Sequence, residues 1–281
     1  MTAPMIARRA LLAAGAVLVL PRMVRAGASR LSFSGDLEQG GLVVGHAPAG
    51  TAIELDGKPV QVSPEGAFVF GFAYNQTKPA RIVARFAGGG TETRDLAPAT
   101  RTYQVQHVNG LPQKFVTPTP EELERIHREA MTIVEARQRD SDGVGFAEGF
   151  LWPFPGIVSS VYGSQRIDNG VPMAPHLGID IAAPEGTPIH APADAAVSIT
   201  ADYFLDGGFT LLDHGHGVST CYLHQSKRLV AAGDRVKRGE VIGLVGQTGR
   251  ATGPHTHWGL NWFQVKLDPS LSTPTREPPR A

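Results

Sequence analysis

Residues 253–260 read "GPHTHWGL". Gly253 and Pro254 break any preceding helix, and the segment that follows reads as a β-strand. Side chains two apart on a strand share a face, so His255 and His257 project together, about 7 Å apart at Cα given ~3.3 Å per residue. The chain has only 10 histidines in 281 residues, and this spacing aims two of them into one cleft. The surrounding region, residues 153–268, is a succession of short apolar runs broken by glycines, among them "FTLLD", "VSTCYLH", "VIGLVG" and "THWGLNWF". Many turn signals and no long helical period predict an all-β domain.

A second stretch supplies a carboxylate. In "PHLGIDIAAPEGTP" His176 and Asp180 are four apart, but Pro175, Gly178 and Pro184 argue against a helix. A loop or bend at Gly178 would still let the imidazole and the carboxylate come together. Two histidines and one aspartate suit a hydrolytic zinc site, which takes three protein ligands and leaves a position for water. A structural zinc wants four ligands, usually with cysteine, and the only cysteine is Cys221. His224, at the end of "TCYLH", adds a further imidazole. Of His224 and His255, one is a candidate general base and the other a candidate oxyanion stabiliser. The other His-x-His, "DHGHG" (His214 and His216), is flanked by glycines and reads as a hairpin turn. "GDRVKRGEVIGLVGQTG" is glycine-rich but lacks the Lys-Ser/Thr ending of a phosphate loop.

Working outward, residues 31–105 read as a small β-sandwich-like domain. Ile53 and Leu55 alternate up to Asp56-Gly57, and Val60 and Val62 alternate after it, which signals a hairpin. Phe68, Phe70 and Phe72 share one strand face, and Ile82, Ala84 and Phe86 repeat the period of two. A linking helix is expected over 119–140. Thr119 and Glu122 make a capping box with Pro120 at the first helical position, and Leu123, Ile126, Ala130 and Ile133 or Val134 form an apolar stripe. "DSDGVGFAEG" reads as a flexible linker. The Pro-rich residues 269–281 read as a disordered tail.

The chain opens with Arg8-Arg9, an apolar run from Ala10 to Leu20, and small residues around Ala26, the layout of a signal peptide over residues 1–26. The arginine pair resembles part of a twin-arginine export signal. Cleavage would leave an exported chain in the periplasm or cell wall with no stable membrane anchor. Lys+Arg and Asp+Glu both number 26, so nothing marks a nucleic-acid partner. Hydrophobic content of 42% is that of an ordinary globular chain, and one cysteine allows no intramolecular disulfide.

"SSVYGSQR", "HLGIDI", "DHGHGVSTCYLH" and "GDRVKRGEVIGLVGQTGRATGPHTHWGL" follow one another as in the lysostaphin/LytM-type zinc metallopeptidases, which this sequence resembles over about residues 157–265. The resemblance implies a LytM-like domain with an open zinc groove. It implies His176, Asp180 and His257 as zinc ligands, His224 and His255 as the catalytic histidines, and peptidoglycan peptides as substrate. Arg166, close before His176, is a candidate contact for a substrate carboxylate. Tyr162 and Gln225 depart from the family's usual residues, and neither is a ligand. Two alternatives are a non-catalytic wall-binding or amidase-activating protein, whose kind has lost metal ligands, and a zinc peptidase of ordinary proteins.

Overall fold

A computed structural model describes residues 29–279. The expected signal peptide lies outside them. No helix among the described residues is long and apolar enough to cross a membrane.

The described residues are mainly β with one α-helix. The N-terminal part holds two small sheets. Ser32–Ser34, Leu42–His46 and Ala67–Gly71 form one; Lys58–Val60, Ala52–Leu55, Ala80–Arg85 and Thr91–Leu96 form the other, in that order. Asp56 and Gly57 turn the expected hairpin with φ of 49° and 78°, the left-handed pair that a two-residue turn needs. Phe68, Phe70, Phe72, Ile82, Ala84 and Phe86 meet in one core, as their alternation predicts.

The same alternation puts a second set of residues on the other side. Leu42, Val44 and Val69 point away from that core and join the core of the C-terminal half, beside Trp258, Leu260 and Leu267. Strands Leu42–His46 and Ala67–Gly71 are thus covered on both faces, so the two halves share this sheet. The expected flexible linker is anchored for the same reason: Phe146 and Phe150 are buried in that second core.

The C-terminal half is built on an eight-stranded sheet. Its path runs Arg235–Val236, Ala195–Tyr203, Gly207–Gly215, Val218–Gln225, His255–Trp262, Ile179–Ala182, Ile157–Ser160, with Val265–Leu267 paired to His255–Trp262. Strand His255–Trp262 is the centre of the architecture. Trp258 and Leu260 go into the core, and His255, His257, Gly259 and Asn261 fall on the opposite face.

The helix spans Pro120–Ala136 with the expected capping box: the Glu122 N–H donates to Thr119 Oγ1 (3.3 Å) and the Thr119 N–H donates to a Glu122 carboxylate oxygen (2.8 Å). It lies against the sheet through Ile133 and Ala136, which pack with Phe209, Leu211 and Cys221. Leu123, assigned to the apolar stripe, is 53% exposed. The apolar contact with the sheet is therefore made by its C-terminal turns, while Arg125 and Glu129 reach the end of strand Ala195–Tyr203 through polar contacts.

Residues 269–279, expected to be disordered, are held down. A short 3-10 turn at Pro269–Ser272 buries Leu271. The Ser272 carbonyl accepts from the Phe150 N–H (2.9 Å), the Thr275 carbonyl from Trp152 Nε1–H (2.8 Å) and the Pro279 carbonyl from the Gly156 N–H (3.2 Å). Arg276 donates to Asp36 (2.8 Å) and Glu38 (2.6 Å). Proline composition alone misled here, because an extended proline-rich strip still offers carbonyls to a neighbouring surface.

Candidate metal centre

Register brings the donors together. Ile179–Ala182 runs antiparallel to His255–Trp262, and Asp180 stands opposite His257. Residues opposed across two strands share a face, so the carboxylate and the second His of His-x-His meet. His176 arrives from the loop before the strand, its N–H donating to the Ser164 carbonyl (2.8 Å). Only glycine fits at the bend: a Cβ on Gly178 would sit 2.4 Å from the His257 ring.

His176 Nε2, Asp180 Oδ1 and His257 Nδ1 converge. Their pairwise separations are 3.0 Å for His176–Asp180, 2.9 Å for His257–Asp180 and 2.8 Å for the two histidines. In His176 and Asp180 the remaining polar atom has a partner of its own. His176 Nδ1–H donates to Ser160 Oγ (3.0 Å), which fixes the tautomer that leaves Nε2 free. Asp180 Oδ2 accepts from Arg166 Nη2 (2.5 Å), leaving Oδ1 to the cluster. Zinc bonds of 2.0–2.1 Å in a tetrahedron would hold such atoms ~3.3 Å apart, a shift of a few tenths of an ångström. A borderline N/N/O set with one open side fits a hydrolytic zinc site. It is the only such cluster found among the described residues.

The electrostatics favour the ligating forms. Burial works to raise the Asp180 carboxyl but is outweighed by His176 and His257, which hold it well below the usual carboxylate range. Burial lowers His257 to about 4, so its imidazole is neutral and its lone pair available.

His224 and His255 stand beside each other, ring centroids 4.7 Å apart. His224 Nδ1–H donates to the Thr248 carbonyl (2.8 Å), and His255 Nδ1–H to the Gly253 carbonyl (2.8 Å). Neither Nε2 has a hydrogen-bond partner among the described residues, so each ring keeps one free position for a proton. His224 adopts φ of 64°, a left-handed conformation uncommon outside glycine, and burial, then His255 and His257, lower its pKa to about 3. The groove that holds the site, about 450 Å³, has the sheet as its floor and the helix, through Glu129, Ile133 and Arg137, as one wall.

Arg166 lies at the site, but its guanidinium is taken up by Asp180 and, at 3.4 Å, Ser160. Its observed contacts are thus with Asp180 and Ser160. His214 and His216 sit at the hairpin as expected. His214 is buried between the Asp194 carbonyl (3.0 Å) and Thr220 Oγ1 (2.8 Å), and His216 packs on Phe146. Two residues at the site escaped the sequence reading. Ser160 belongs to the quoted "SSVYGSQR", and only its neighbours signalled it. Gln106, whose Oε1 accepts from Ser160 Oγ–H (2.6 Å), carries no local signal at all. It reaches the site because Val105–Val108 pairs in parallel with Gln165–Asp168.

Fold and site define a β-sheet protein with a His/Asp/His metal cluster of the metallopeptidase kind. The chain belongs to peptidase family M23: the model for that family matches residues 174–269. A crystal structure from Pseudomonas aeruginosa assigned to peptidase M23 is 32% identical, with a TM-score of 0.64 over 84% of this chain and 94% of that one. That coverage reaches well into the N-terminal half. Peptidoglycan DD-endopeptidase ShyA of Vibrio cholerae is 40% identical over 112 residues, 37% of this chain and 26% of that protein. DD-carboxypeptidase/endopeptidase Mpg of Neisseria meningitidis serogroup B is 43% identical over 103 residues, 36% of this chain and 24% of that protein. The matched part thus spans about a quarter of each of these curated relatives.

Proposed function

We propose that this protein is an exported zinc-dependent endopeptidase that hydrolyses peptide cross-links of peptidoglycan. The observation that carries the reading is the convergence of His176, Asp180 and His257 in a groove beside two histidines whose Nε2 atoms are free. Zinc bound at the three donors would polarise a scissile carbonyl and lower the pKa of a water molecule toward ~7. The chain's own residues do the rest. Ser160 and Arg166 hold His176 and Asp180 in their ligating orientations. His224 and His255 are tethered at Nδ1 by backbone carbonyls, so their Nε2 atoms can take a proton from the attacking water, pass one to the leaving amine, or donate to the developing oxyanion. The relatives named as peptidoglycan DD-endopeptidases support this substrate class. The complete ligand set and both auxiliary histidines disfavour a non-catalytic role.

Digestion of purified sacculi, with products identified by mass, tests the proposal. Dimeric muropeptides should fall and monomers with intact stems should rise, with the glycan uncut. Release of free stem peptides from the sugar would show an amidase instead. Cleavage of casein with sacculi untouched would show a peptidase of ordinary proteins.

A further inference from the structure

Asp168 is a buried carboxyl group that the hydrolytic site does not use. It ends strand Gln165–Asp168 and is 0% exposed, and neither carboxylate oxygen has a hydrogen-bond partner among the described residues. Its ion-pair partner is Arg250, whose Nη1 lies 3.8 Å from Oδ2, close enough for attraction and too far for a hydrogen bond. Arg250 is fixed at the backbone, its N–H donating to the Leu205 carbonyl (2.8 Å). Its guanidinium makes no hydrogen bond among the described residues. It lines the groove of His176, Asp180, His224 and His257, and also the adjoining recess that holds His255.

Two arginines thus border the His176/Asp180/His257 cluster, and they are engaged differently. Arg166 donates through Nη2 to Asp180 and Ser160, with its Nε buried and unpartnered among the described residues. Arg250 is drawn toward Asp168, which limits how it can turn and compensates its charge, while its planar fork of N–H donors stays without acceptors. A preorganised, unsatisfied guanidinium at a partly desolvated groove is suited to a planar two-oxygen acceptor.

We propose that Arg250, positioned by Asp168, is a specificity-determining residue that binds a carboxylate carried on the carbon next to the scissile amide nitrogen. This rests on the peptide-hydrolysis reading above. In a direct cross-link to a diamino dicarboxylic acid, the carbon bearing the bonded amine also bears a carboxylate. In a cross-link to a lysine side chain that carbon bears only hydrogen. Arg250 therefore selects the first kind of linkage over the second, and over its carboxamide.

The test uses the zinc-loaded full chain and two synthetic cross-linked peptides that differ only in a carboxylate or a carboxamide at that carbon. Two charge-assisted hydrogen bonds should give the acid peptide roughly a 10–100-fold advantage in kcat/KM. In Arg250→Gln the acid-to-amide ratio should fall to near one, and Arg250→Lys, which keeps charge without the fork, should lie between. Calorimetric titration of the amine-side fragment, as acid and as amide, reads the same preference without turnover. Equal binding of the two fragments by the unaltered protein would overturn the inference, and so would an unchanged ratio in Arg250→Gln. If neither peptide is cut while the acid fragment still binds tighter, the carboxylate subsite stands and the endopeptidase reading falls.

Discussion

Ser160 Oγ lies 3.0 Å from Nδ1 of His176 and donates its own proton to Gln106 Oε1 at 2.6 Å. The relay sets which nitrogen of His176 carries hydrogen, and so which one is free for metal. Ser160→Ala should weaken zinc affinity about 10–100-fold with the fold intact. Competition with a chromogenic chelator measures it; an affinity equal to that of the unaltered protein would show that the relay does not orient the ligand.

His257→Ala should lose metal and activity together, because Nδ1 is one of three donors. His224→Ala should keep its metal and lose about 10²–10⁴-fold in turnover, since only proton handling is removed. Metal content and kcat measured on both variants separate the roles. Loss of zinc from His224→Ala as readily as from His257→Ala would show the division to be mistaken.

Burial lowers His214 to about 4, against ~6.5 in an unfolded chain. Between those values the unfolded state binds a proton that the folded state refuses. Stability should therefore decline as pH drops from ~6.5 toward ~4, by a few kcal/mol from this residue. Melting curves across that window should show a shallower slope for His214→Gln. Parallel slopes would mean that another group governs the acid limb.

A chain starting at residue 151 lacks Leu42, Val44, Val69, Phe146 and Phe150, all buried in the C-terminal core, and lacks Gln106. A single buried Leu→Ala change costs ~2–5 kcal/mol, so the truncated chain should melt roughly 10 °C or more below the full chain, or fail to fold. It should also bind zinc more weakly. Equal melting temperatures would show that the shared core adds nothing to the C-terminal half.

The sequence by itself determined what depends on local periodicity. The two-residue step put His255 and His257 on one face, the Thr119–Glu122 box started the helix, and Asp56-Gly57 made the hairpin turn. Gly178 announced the bend that joins His176 to Asp180. Tertiary structure alone decided what depends on distant partners. Asp180 meets His257 across 77 residues of chain, Gln106 reaches Ser160 across 54, and Leu42 shares a core with Leu260. Alternation says which side chains leave one face of a strand; it does not say which other strand lies alongside, in what register, or whether the second face is also covered. Those are set by the packing of the whole chain. For that reason the strip 269–279 and the segment around Phe146 read as loose in sequence and are fastened in the fold.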